Sequence, residues 1–91
     1  MKFSLKQKYD YHKSRDRSPA KHGLKYGSPK SIYSSGFVDS FHQIDNSHAV
    51  KKEFGSRCSF AYKQGQRRGK KAARAYALKT GKPSFTIDNF K

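Results

Sequence analysis

The chain has 91 residues and a mass of 10.4 kDa, with 21 Lys and Arg against 6 Asp and Glu, a formal charge of +15 and a pI near 10.2. A chain of this size makes at most one small domain with a thin core, and its charge opposes compaction while favouring a polyanionic partner. The single cysteine, Cys58, leaves no intramolecular disulfide and no Cys pair for zinc, and no long apolar run encodes a signal peptide or a membrane span. The expected setting is therefore reducing and away from membranes: cytoplasmic, nucleoid-associated or inside a virion.

Charge is concentrated at the two ends. Residues 1–30 hold nine Lys and Arg against Asp10 and Asp16, residues 31–60 hold three against Asp39, Asp45 and Glu53, and residues 61–91 hold nine against Asp88. The first thirty residues offer Phe3, Leu5, Leu24 and three tyrosines as apolar anchors, without a sustained helical or strand period. Such a stretch buries too little to offset its ordering entropy, so residues 1–30 are expected to form a flexible basic arm that orders on a polyanion. Ser18-Pro19 and Ser28-Pro29 favour extended or turn backbone at the serines, and Gly23 and Gly27 interrupt any helix between them.

Within the arm, Lys8, Tyr9, Tyr11, Lys13, Arg15, Arg17 and Lys21 form an accessory binding set, because tyrosines interleaved with cations stack on unpaired bases or bond to phosphates. The tetrapeptides "SPAK" and "SPKS" resemble the Ser-Pro-basic-basic units of linker-histone tails, with one basic residue where those have two. The resemblance implies a turn that presents cations to an A·T-rich minor groove.

The neutral middle holds the best core candidates. Phe37, Phe41 and Ile44 recur at i, i+4 and i+7, and Ser47 is placed to cap a short helix carrying Val50 and Phe54 on one face, with Gly55 as its C-terminal cap. Two small helices, or a helix and a turn, satisfy this pattern equally.

Ser59 is placed to cap a longer helix over about 60–80, which Gly81 and Pro83 stop. At about 100° per residue, Lys63, Arg67, Lys70, Lys71 and Arg74 fall within roughly 45° of one direction, with Arg68 and Lys79 on a flank. No carboxylate occurs from Phe54 to Ile87, so these cations lack acidic partners on their own segment, and phosphates neutralise them favourably by releasing condensed counterions. The opposite side collects Tyr62, Gly65, Gly69, Ala72, Ala73, Tyr76 and Thr80. Each interior glycine costs about 1 kcal/mol against alanine, so this face is expected to meet another backbone closely. That backbone belongs to the chain's own middle, to a second copy or to nucleic acid; a helix beginning only at Gln66, with Gly69 alone interior, is the other option. Beyond the helix, Phe85 and Ile87 alternate with polar residues as in a short half-buried strand or extended segment.

An enzyme is hard to assemble from the remainder. Cys58 beside Arg57 is the one nucleophile candidate, and the four histidines are scattered. His42, Asp45 and His48 at i, i+3 and i+6 lack a fourth metal ligand, and no Walker or Rossmann glycine pattern is present. No catalytic residue, metal or cofactor is expected. Base readout has few candidates, namely Gln64, Gln66, Arg67 and Arg68 near the helix start.

The sequence thus reads as a small α or α+β protein with a sparse core at 31–91, a basic helix, a terminal strand or extended segment, and an arm at 1–30. The expected function is non-enzymatic binding of DNA or RNA through phosphates, with low sequence specificity, in DNA packaging and compaction or in a ribonucleoprotein or virion assembly. The alternative is a protein-interaction module whose cationic surface docks on an acidic protein, such as a capsid interior, a polymerase subunit or a nucleic-acid mimic. In that case the small-residue face makes the specific contact, or mediates self-association.

Overall fold

A computed structural model describes the backbone of residues 4–80 and side chains as far as Leu78. Four helices follow one another: α1 (Leu5–Arg17), α2 (Pro29–Phe41), α3 (Ser47–Phe54) and α4 (Ser56–Thr80), with a 3-10 turn at Pro19–His22. No strand occurs among the described residues, and the segment around Phe85 and Ile87 expected to be extended lies outside them.

Residues expected to be a flexible arm carry α1 instead. Its start is a capping box: Ser4 Oγ accepts from Gln7 N at 3.1 Å, and Gln7 Oε1 accepts from Ser4 N at 2.8 Å. Tyr9 is its one buried side chain. Tyr9 is 4% exposed, its ring 5.1 Å from that of Phe41, and its hydroxyl shares a 2.7 Å hydrogen bond with His42 Nε2. One buried aromatic with a satisfied polar tip supplies the apolar burial that the rest of the segment lacks.

The two Ser-Pro steps start helical segments rather than breaking them. Ser28 is extended at φ −72°, ψ 154°, its Oγ accepts from Ser31 N, and Pro29 opens α2. That is the arrangement in which serine caps and proline, lacking a donor, occupies the first helical position. Ser18-Pro19 opens the 3-10 turn in the same order. The first unit is a turn, with Lys21 N donating to Ser18 O at 3.1 Å and Lys21 exposed, whereas the second is the start of α2.

α2 is the central helix. Ile32, Phe37, Val38 and Phe41 are buried, and so are Ser31, Ser34, Gly36 and Ser40. The buried hydroxyls are bonded, Ser31 to Ser28 O, Ser40 to Phe37 O, and Ser34 to His12 Nδ1 at 3.0 Å. They therefore sit inside without leaving orphaned polar groups. The helix stops at Phe41, not after Ile44. Gln43 adopts φ 57°, and the amides of Gln43 and Ile44 bond back to the carbonyls of Ser40 and Asp39. This is a Schellman closure built on a glutamine, and it places Ile44 in the turn with its side chain exposed.

α4 crosses α2 through glycine. A Cβ on Gly65 would strike the carbonyl of Tyr33 and lie 3.0 Å from Phe37 N; one on Gly69 would strike Ser40 Oγ and the carbonyl of Phe37. Reciprocally, a Cβ on Gly36 would strike the carbonyl of Tyr62. The close neighbour is thus the chain's own middle segment. Both glycines are interior, because α4 begins at Ser56: Gly55, at φ 92°, turns the chain directly from α3 into α4, and its carbonyl accepts from Ser59 N. Ser59 is a buried residue of the first turns rather than a cap.

The core falls into two clusters on either side of this crossing. Tyr9, Phe37, Val38, Phe41 and Ala73 form one, with Ala72 and Tyr76 against it. Ile32, Val50, Cys58 and Tyr62 form the other, with Phe54 against it. Val50 and Phe54 share a face of α3 as their spacing requires, although Asn46, not Ser47, precedes the helix.

Candidate functional site

Because Tyr62, Gly65, Gly69 and Ala73 are spent on α2, helical geometry turns the cationic side of α4 outward. Lys63, Arg67, Arg68, Lys70, Lys71 and Arg74 are all exposed. Among the described residues the one ion pair is Lys6–Asp10 at 3.0 Å on α1, so none of these six cations has a carboxylate within ion-pair distance. Lys79 has no described side chain. The expected close-packing set of Gly65, Gly69, Ala72, Ala73 and Tyr76 lies on the inward side. Gly65, Gly69 and Ala73 are buried there, which takes them out of reach of an external protein.

One flank of α4 faces α1 across a groove floored by Tyr33 and Phe37 of α2. From α4 come Ala61, Gln64, Arg68, Lys71 and Ala75, a single row at three- and four-residue spacing; from α1 come Leu5, Lys8, Tyr11, His12 and Arg15. The groove consists of two adjoining cavities of about 640 and 500 Å³ that share Tyr11 and Tyr33. Phe60 stands at the rim of the larger one, 66% exposed, with Lys30 and His22 nearby. Among the described residues no carboxylate lines either cavity.

Arg15 is held in the wall of this groove. Its guanidinium lies 5.3 Å from the Tyr11 ring centroid and donates to Tyr11 OH and to the carbonyl of Lys30, both at 3.3 Å. Its Nε is shut off from solvent without a hydrogen-bond partner among the described residues. His12 stacks on Phe37 at 4.2 Å between ring centroids. Burial, aided by the charges of Arg15 and Lys8, lowers its pKa from 6.5 to about 4, so the imidazole is neutral near pH 7.

The other flank faces α3 and the turn before it, and here acids are present. Tyr62 OH, completely buried, donates to Asp39 Oδ2 at 2.6 Å and accepts from Asn46 N at 2.9 Å. Burial raises the pKa of both Asp39 and Tyr62, against the lowering effect of the Tyr62 hydrogen bond on Asp39. Asp45 accepts from Ser47 N and from Gln66 Nε2, both at 2.9 Å. The bonds from Ser47 and Gln66, with the charge of Lys70, bring its carboxyl down to about 2.

The expected arm set is divided by the fold. Tyr9 belongs to the core, unavailable to a ligand, and Lys13 lies over its ring at 5.7 Å. Tyr11, Arg15 and Lys8 line the groove, while Arg17 and Lys21 are exposed at the end of α1 and in the 3-10 turn. Of the base-reading candidates, Gln66 is engaged with Asp45, Gln64 opens into the groove, and Arg67 and Arg68 are exposed. Lys30, Tyr33 and Phe60 join the site only through the fold; the sequence signal for Phe60 is a large apolar residue in line with Gln64, Arg67 and Lys71.

Cys58 is buried, its thiol donating to the carbonyl of Gly27 at 3.3 Å. Among the described residues no three His, Cys, Asp or Glu side chains gather as metal ligands, and no helix is long and apolar enough to cross a membrane. Comparisons with protein-family models, curated proteins and solved structures find no match to this chain.

Proposed function

We propose that this protein is a non-enzymatic nucleic-acid-binding protein that grips phosphates along the outward face of α4. The observation that carries this reading is the row Lys63, Arg67, Lys70, Lys71 and Arg74, all exposed on one helix and none neutralised by a carboxylate within ion-pair distance among the described residues. A solvated helix face ordinarily mixes signs; this one does not, and counterion release makes a polyphosphate its favourable partner. Contacts of this kind position a nucleic acid without reading its sequence, which suits packaging, compaction or a ribonucleoprotein or virion assembly in a cytoplasmic, nucleoid or virion setting.

The rival reading, docking on an acidic protein, loses the contact surface first expected for it, since Gly69 and Ala73 are buried against α2. The test is the triple variant Lys63→Glu, Arg67→Glu, Arg74→Glu, which alters outward positions and leaves the α2 contact intact. Loss of binding to duplex and single-stranded oligonucleotides at physiological salt, with helicity retained by circular dichroism, is expected. Unchanged affinity would leave the face without this role.

A further inference from the structure

We propose that the groove between α1 and α4 is a stacking site for unpaired nucleobases, so that the nucleic acid this chain prefers is single-stranded. The inference rests on the phosphate-binding reading above and adds a ligand class to it. A face that binds phosphates alone needs no aromatic groove beside it. Here the cationic row of α4 runs alongside a groove that presents Phe60 and Tyr33, with Arg68 and Lys71 on its α4 side and Lys30 nearby.

Several features fit an unpaired base. Phe60 is 66% exposed and lines the larger cavity, so its ring is within reach of a base. Aromatic platforms flanked by cations are how proteins hold single strands, since every base has a π face and every nucleotide a phosphate. Gln64 opens into the same cavity and offers both a donor and an acceptor to a base edge. The cavity volume of about 640 Å³ lies within the usual range of roughly 300–1,000 Å³ for small-ligand sites. Among the described residues the lining carries cations and no carboxylate, so it is electrostatically complementary to a strand and not to a basic peptide. Duplex DNA hides its base faces and would leave the groove empty.

The chain contains no tryptophan, so Phe60→Trp installs a unique fluorophore at the rim. Titration with single-stranded DNA and RNA oligonucleotides is expected to quench it. An abasic strand of equal length, or the matching duplex, binds the α4 face without quenching. Whether DNA or RNA quenches at lower concentration identifies the strand. In parallel, Phe60→Ala is expected to weaken single-strand binding by about five- to one-hundred-fold, the range one stacked base supplies, with duplex affinity unchanged.

Equal quenching by abasic and base-bearing strands, or no loss of single-strand affinity in Phe60→Ala, overturns the groove assignment. If Lys63→Glu, Arg67→Glu, Arg74→Glu then still abolishes binding, the phosphate reading survives alone. If the unaltered chain binds neither strand type, both proposals fall.

Discussion

The two flanks of α4 meet neighbours of opposite character. Toward α3 the helix finds Asp39, Asp45 and Asn46, and two of its side chains are bonded to these acids: Tyr62 to Asp39 and Gln66 to Asp45. Toward α1 it finds Lys8, Tyr11, His12 and Arg15, and among the described residues the groove between them holds no acid. The fold closes its polar network on one side and leaves cations and rings open on the other. Stability is concentrated at the α2 crossing and the α3 flank, and the means of binding at the outer face and the α1 flank.

The most damaging way to break this division is to fill the crossing. Gly69→Leu adds a side chain against Ser40 Oγ and the carbonyl of Phe37, and backbone cannot yield as a flexible side chain does. Although leucine is the better helix former, the overpacking should cost at least about 3 kcal/mol, read as a loss of cooperative urea unfolding. Higher stability would contradict the packing described.

Next in size is Tyr62→Phe, which strips the bridge between Asp39 and Asn46 while keeping the buried ring. The Asn46 amide loses its acceptor and the part-buried Asp39 keeps only the 3.3 Å bond from Asn46 Nδ2, costing about 1–3 kcal/mol by denaturant titration, with oligonucleotide affinity at matched folded fraction unaffected.

Acid separates the flanks. His12 has a folded pKa of about 4 against its ordinary 6.5, so the unfolded chain binds more protons between those values, and stability falls as pH drops from 6.5 toward 4. Asp45, brought down to about 2 from 3.8, contributes stability that is present above 3.8 and lost as pH falls toward 2. His12→Asn should flatten the first decline and Asp45→Asn the second, each leaving the other in place. The smallest effect expected is a gain: Gln43→Gly relieves a left-handed residue and should add about 1 kcal/mol.

What could be read in the sequence followed from side chains that signal their own role. The small face of α4, the cationic face opposite it, Val50 with Phe54, and the end of α3 at Gly55 all have periodic or conformational signatures. α2 is opaque for a physical reason: beside Ile32, Phe37, Val38 and Phe41 its buried face holds Ser31, Ser34, Gly36 and Ser40, which carry no hydrophobic period; the serines are admitted because their hydroxyls are bonded and Gly36 because the α4 backbone passes against it. α1 hides behind a single buried tyrosine, yet its Ser4–Gln7 capping box is a legible start signal, as Ser28-Pro29 is for α2. The groove depends on α1 and α4 coming side by side, which no local pattern specifies.

The central claim, that α4 binds phosphate because the fold leaves its outward cations unneutralised, is tested most directly by the salt dependence of binding. If Lys63, Arg67, Lys70, Lys71 and Arg74 each neutralise one phosphate, log K on duplex DNA should fall against log salt with a slope near −4 to −5. Each single alanine change should reduce that slope by about one. A slope near zero, or one that the alanine changes do not move, would contradict the account.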